Sequence, residues 1–396
     1  MKRSLFFLIA AALIAASFTA TVDGPAYAQS NPRECITNYD PNTDYFPEKA
    51  TFEAAKGVTV DYFKNYKVVK VLTPWGGTPE PFEYVLVMCG TPAPTDPALA
   101  KAQVVEVPIK SIVSMSTTYL PHIVSLGVVD TLAGLDAFMF TTLPEVRARI
   151  DAKQVYEIGG GGQVNVELVV EKQPDLIMTF GSGFPEYDAH PKLIEAGLKV
   201  ALNGDYMETT PLGRAEWGKF IGLFYNLEGK ATEIYNAEAA EYNRLKGLVE
   251  KVNTRPNVLI NAPFDGTWYI PGGASFAAQF IRDAGATYPW ADDTSAGSLP
   301  LSIEVVLEKA QNTEFWLNPS GYTSLDEMQK ADPRFAEFAP FKAGKVFNYT
   351  ARIIGGGNDY FETGAAKPSL ILADLIAILH PDVLPGHKLY FYQQLK

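Results

Sequence analysis

Between Gln29 and about Ala102 apolar and polar residues alternate, as in Tyr66–Leu72 and Phe82–Met88, the period-two rhythm of half-buried strands. Between these runs lies Thr73-Pro-Trp-Gly-Gly-Thr-Pro-Glu-Pro81, which reads as a long hairpin loop. From about Val104 short apolar runs alternate with helical patterns. Strands are expected at 112–116, 132–135, 176–180 and 199–202, and helices at 120–126, from Glu167, and at 189–196. Between Pro211 and Val252 the residues Leu212, Ala215, Phe220, Leu223, Ile234, Ala237 and Leu248 recur at helical spacing, with Gly229 as the expected pause. A second alternation opens at Val258–Ala262, continues through 314–317 and 345–348, and ends in a helix at Ser369–His380 before Pro381. This order predicts an α/β protein. Two α/β sandwich lobes (103–210 and 253–396) are joined by a stiff helical connector (211–252) behind a β-rich extension (29–102).

One short unit occurs twice. Asn165-Val166-Glu167 and Ser302-Ile303-Glu304 each place a capping residue two positions ahead of a glutamate. Each opens an apolar, helix-like run that leads into a strand. The glutamate then sits in the first helical turn, where the helix dipole favours negative charge. One such glutamate is ordinary helix-start chemistry. The same unit in both halves points to two related lobes with matching surface points.

The first residues read as an export signal. Lys2 and Arg3 precede the apolar run Leu5–Phe18, and Ala26-Tyr27-Ala28 is a small-x-small cleavage site, so 1–28 is expected to be removed after Ala28. The apolar run is too short to span a membrane, and no cysteine stands at the cleavage point for a lipid anchor. The formal net charge of −12 argues against nucleic acid and anionic membranes as partners. Both cysteines, Cys35 and Cys89, fall in the extension, and in an exported chain they read as a disulfide. Closing that loop contributes on the order of 4 kcal/mol in the chain-entropy description.

The ordered set Ile112-Val-Ser-Met-Ser116, Leu126-Gly-Val128, Leu132-Ala-Gly-Leu135, Asn165-Val-Glu-Leu168, Pro174-Asp-Leu-Ile177 and Leu372–Pro381 resembles the substrate-binding proteins of ABC importers for ferric siderophores, haem and vitamin B12. The likeness runs from about Val104 to Pro381 and leaves the extension outside. It implies two lobes on one rigid helix, a ligand in the cleft between them, and one glutamate per lobe docking onto the membrane permease. Glu167 and Glu304 stand in the matching phrases. It also implies a periplasmic monomer whose partners are that permease and a small-molecule metal chelate.

Loops after the strands should line the cleft. The expected ligand-binding residues are Tyr119, Phe140 and Phe184 in the first lobe and Trp268, Tyr269, Trp290, Tyr322, Arg352 and Tyr360 in the second. Each aromatic could equally pack on neighbouring strands, and Arg352 could equally form a structural ion pair. The glycine runs 159–162 and 355–357 lack the phosphate-loop continuation and read as tight backbone near a ligand. The four histidines, 122, 190, 380 and 387, are too scattered for a bare-metal site, so no metal ligands and no cofactor are assigned and any metal should arrive chelated. No hydrolase or zinc-protease signature is present, so the chain is not expected to be an enzyme. Direct capture of a metal ion and an exported hydrolase on the same framework are the rival readings.

Overall fold

The structure, a computed structural model, describes residues 30–78 and 80–396. The export signal read over 1–28 lies outside them.

Strands β1 (Val58–Tyr62), β2 (Tyr66–Val71), β3 (Phe82–Met88) and β4 (Gln103–Val107) form one sheet. The β2–β3 hairpin pairs Tyr66 with Val87 through Val71 with Phe82, in line with the alternation of the two runs. Strand β4 corrects the expected boundary at 102/103. It pairs in parallel with β3 instead of opening the first lobe. A parallel partner needs a crossover rather than a tight turn, and the Pro-rich stretch after Thr91 supplies it.

The extension is packed into the first lobe. Phe46, Val69, Tyr84 and Leu86 share one core with Ile112, Leu132, Leu176, Trp217 and Phe220. Charged anchors reinforce it. The ammonium of buried Lys67 donates to Glu228 at 2.6 Å, to the Leu223 carbonyl at 2.6 Å and to Asn226 Oδ1 at 3.0 Å. The Glu216 carboxylate accepts the N–H groups of Glu53, Ala54 and Ala55, and Glu208 accepts those of Lys56 and Gly57. The Cys35–Cys89 disulfide closes the unit.

The first lobe runs β5 (Ile112–Ser114), α1 (Leu120–Ser125), β6 (Leu132–Leu135), α2 (Pro144–Asp151), β7 (Tyr156–Glu157) and α3 (Val166–Lys172). It continues with β8 (Leu176–Thr179), α4 (His190–Glu195) and β9 (Val200–Leu202). Its sheet is wholly parallel, in the order β7-β6-β5-β8-β9.

The connector is two helices, α5 (Pro211–Leu223) and α6 (Glu228–Leu248), not one. The break comes before Gly229. Asn226 takes a left-handed φ of 54°, held by Lys67 and by its own donation to the Pro32 carbonyl at 2.8 Å. Gly229 instead admits a close neighbour, because a methyl there would meet the Glu48 carboxylate at 2.6 Å. Helix α6 bridges the lobes: Ala231 and Ile234 pack in the first core, Tyr242 and Leu245 in the second.

The second lobe holds β10 (Val258–Ile260) and the antiparallel pair β11 (Trp268–Pro271) and β12 (Ser298–Leu301), with α7 (Phe276–Asp283) between them. Then come α8 (Ile303–Ala310), β13 (Phe315–Leu317), α9 (Leu325–Ala331), α10 (Ala339–Lys342) and β14 (Val346–Asn348). A small hairpin, β15 (Ile353–Ile354) and β16 (Gly357–Asn358), precedes α11 (Asp359–Ala366), α12 (Pro368–Leu379) and β17 (Gln393–Gln394). The main sheet is β10-β13-β14-β17, parallel except for β17.

A second link ties the lobes. The Glu362 carboxylate on α11 accepts from Thr141 Oγ1 and from the Thr142 N–H, each at 2.6 Å, and the Gly356 N–H donates to the Met139 carbonyl at 3.2 Å.

Candidate ligand cleft between the lobes

The loops that follow the parallel strands of the two main sheets enclose a cleft between the lobes. Its inner part, about 250 Å³, takes Thr118, Asp205, Tyr206 and Arg214 from the first lobe and α5. The second lobe supplies Asn261, Phe276, Asn318, Tyr349, Tyr360 and Phe361. An outer part of about 570 Å³ continues over Ser116, Tyr119, Phe180, Ser182, Phe184 and Met207. Thr118, Asp205 and Tyr206 border both parts.

Aromatic faces dominate. Tyr349 and Tyr360 stack with centroids 4.7 Å apart, and Phe361 meets both edge-on at 5.2 Å. The Arg214 guanidinium lies over the Phe276 ring at 3.7 Å, while its Nε and Nη2 donate to the Glu208 and Tyr206 carbonyls. Burial pushes the Asp205 carboxyl up to about 6, opposed by the charge of Arg214. The Tyr206 hydroxyl donates to the Gly181 carbonyl at 2.6 Å and ties the two loops of the outer wall together.

The extension reaches this wall. Gly76 borders the outer part, and the Trp75 indole lies against Gly181 and Gly183, where added methyls would stand 2.3 and 2.9 Å from the ring. Trp75 also packs on His190 at 5.4 Å. The glycine loop itself is tied by Asp188, which accepts from the Ser182 N–H, the Ser182 hydroxyl and the Gly183 N–H.

Among the expected ligand-binding residues, Tyr119, Phe184 and Tyr360 border the cleft. The others stand elsewhere, for identifiable reasons. Trp268 is fully buried in the second core, stacked on Trp316 at 5.6 Å, with its indole N–H donated to the Ile260 carbonyl. Trp290 is buried against Tyr288, with the Lys309 ammonium over its ring. Tyr322 packs edge-on against Phe335, and Tyr269 is exposed on β11 outside the cleft lining. Arg352 is taken up by Asp359 at 2.6 Å and by the Tyr390 ring at 4.3 Å, beside a different groove. Phe140 belongs to the link between the lobes, its carbonyl against Gly357. The run 355–357 accordingly admits the first lobe, not a ligand: added methyls at Gly356 and Gly357 would strike Met139 and Phe140.

Sequence reasoning missed Asp205, Tyr206, Arg214 and Phe276. The usable signal was position, since 203–207 directly follows a strand whose C-terminal end faces the cleft.

Of the paired glutamates, Glu167 is exposed in the first turn of α3, whose Leu168 N–H is capped by Asn165 Oδ1. Glu304 occupies the same place on α8 but is ion-paired with Arg334 at 2.6 Å, and no side-chain bond from Ser302 caps that helix.

Residues 112–353, more than half of the chain, match the family described as periplasmic binding protein. The chain belongs to that family. An uncharacterized lipoprotein of Methanocaldococcus jannaschii is 25% identical over 303 residues, 73% of this chain and 70% of its own. Among solved structures, an ABC transporter substrate-binding protein from Listeria monocytogenes shares the fold with a TM-score of 0.53 at 18% identity, over 69% of this chain and 99% of that one. The triscatecholate siderophore binding protein from Bacillus subtilis, complexed with ferri-bacillibactin, gives 0.54 at 17% identity, over 72% and 96%. The two-lobe α/β architecture of this periplasmic binding protein is that of its neighbours, whereas the whole β1–β4 sheet precedes the span that the family shares.

Proposed function

We propose that this periplasmic binding protein captures a chelated metal of the ferric-siderophore, haem or corrinoid kind and delivers it to the permease of an ABC importer. The carrying observation is the cleft bordered from both lobes by Tyr206, Phe276, Tyr349, Tyr360 and Phe361. Such a lining grips the apolar and π faces of a large chelate. Its polar complement of amides, one carboxylate and one guanidinium is too sparse to strip a bare cation of its water. The reading draws support from the bound siderophore of the B. subtilis neighbour. In it, Glu167 and Glu304 are the docking points for the permease, and the protein acts in the periplasm.

The test is titration of the purified protein with ferric chelates, haemin and a corrinoid, followed by tryptophan fluorescence and calorimetry. Tyr360→Ala and Phe276→Ala should each weaken the ligand that binds by about one to two decades, the equivalent of losing ~1–3 kcal/mol of aromatic burial. Affinity unchanged in both variants would move the site elsewhere.

A further inference from the structure

Asp205 is only 6% exposed, yet it borders both parts of the cleft. Among the described residues its carboxylate accepts no well-aligned hydrogen bond, although the Thr118 hydroxyl and the Tyr206 N–H lie close enough to favour its charged form. The N–H of Asp205 is spent on Asn203 Oδ1 at 3.0 Å, and the neighbouring Thr118 hydroxyl also meets Ser116 Oγ at 3.0 Å. Buried carboxylates elsewhere in this protein are fully used: Glu216, Glu362 and Asp374 each accept several donors. An ionised carboxylate has about four acceptor sites, so at a cleft this one keeps capacity for a donor from a ligand, and filling it offsets the cost of burying the charge.

The cations set the other limit. Arg214 is the one basic residue among the described residues lining either part of the cleft. Two of its donors are committed to main-chain carbonyls and its face is covered by Phe276. The formal charges of Asp205 and Arg214 cancel, so the cleft holds no surplus of positive charge. A polyanionic ligand would meet Asp205 at close range, with one half-occupied guanidinium to offset it.

We propose, resting on the cleft reading above, that Asp205 makes the site selective for a neutral or cationic metal chelate that points an ammonium, hydroxyl or amide donor at this carboxylate, and selective against polyanionic chelates. The Asp205 carboxylate accepts that donor, and the stacked Tyr349–Tyr360 pair holds the body of the chelate.

Three probes test this by calorimetry: a ferric tris-hydroxamate with a pendant ammonium, the same chelate with that amine acetylated, and a ferric triscatecholate. Wild-type protein should bind them in that order of falling affinity, with about tenfold or more between the first and the last. Asp205→Asn should abolish most of that spread, chiefly by weakening the ammonium chelate, while Asp205→Glu keeps the order. Circular dichroism checks that each variant is folded. Preference of the wild type for the triscatecholate, or an equal loss for all three probes in Asp205→Asn, overturns the assignment of Asp205 while leaving the cleft reading intact. Failure of the wild type to bind any of the three, nor haemin or a corrinoid, overturns the cleft reading and this inference with it.

Discussion

Two buried titratable residues pull the stability of this protein in opposite directions across the acid range. His122 sits on α1 against Gly218, beside an apolar cavity of about 410 Å³ on the far side of α5, and burial lowers its ring to about 4 from 6.5. The unfolded chain therefore binds a proton more readily than the folded one. Stability falls as pH drops from 6.5 toward 4, by ~3 kcal/mol once the window is crossed. Asp205 has the reverse sign. Its folded value of about 6 stands above the unfolded 3.8, so the folded chain holds the proton more readily and stability falls as pH rises through that window. Asp205→Asn should therefore gain stability over the wild type above pH 6, by up to ~3 kcal/mol, and match it near pH 4. His122→Gln should lose the acid-side decline. Urea unfolding at intervals between pH 4 and 7.5 reads both, and parallel curves for wild type and variants would show that neither residue carries the shift.

At the scale of elements, the loop between β2 and β3 is where the extension meets the ligand site. Trp75 presses on Gly181 and Gly183, and that glycine loop carries Phe184 into the cleft. Trp75→Ala should leave the protein folded, speed amide exchange at 181–185, and weaken ligand binding by about tenfold through a less ordered wall. Unchanged exchange in that loop would make Trp75 a surface contact with no reach into the site. The loop itself was legible as a Gly- and Pro-rich hairpin turn, but its destination was not, because a contact between residues a hundred positions apart leaves no local period. The same limit explains the other departures. The lobe strands and helices that the periods predicted stand within a residue or two of their places, while α2, α7, α11 and the β11–β12 pair were not read at all; the break at Asn226 depends on Lys67, which is brought there only by tertiary packing. Strand β4 carries no mark of pairing backward. Trp268 stood in a loop-like phrase, and only the fold shows its N–H meeting a core carbonyl. Asp205 had the right place after a strand but none of the aromatic character that drew attention to other loops.

For the whole molecule, rigidity and docking belong together. Helix α6 packs in both cores, and Glu362 on α11 binds Thr141 and Thr142 of the first lobe, so the distance between the lobes is set by packed and hydrogen-bonded links rather than by a free hinge. A partner that reads one point on each lobe then meets a nearly constant spacing. Glu167 and Glu304 are the points proposed here, and the two are not equivalent: Glu167 is exposed in the first turn of α3, while Glu304 is held by Arg334, which also grips Asp332. Replacing both glutamates by alanine should leave ligand affinity and melting temperature nearly unchanged, since surface substitutions usually stay within about 0.5 kcal/mol. Ligand-stimulated ATPase of the reconstituted importer should fall sharply, because rim charges set encounter and register with the permease. The Arg334 pair adds a sharper arm to the test. If a cationic group of the permease replaces Arg334 at Glu304, then Arg334→Ala frees that carboxylate in advance and should preserve or raise the ATPase response at low salt, where exposed charges are least screened. Wild-type transport by the double alanine variant would reduce both glutamates to helix-start residues. A loss in Arg334→Ala equal to that in Glu304→Ala would instead make the ion pair, rather than the free carboxylate, the feature that the permease reads.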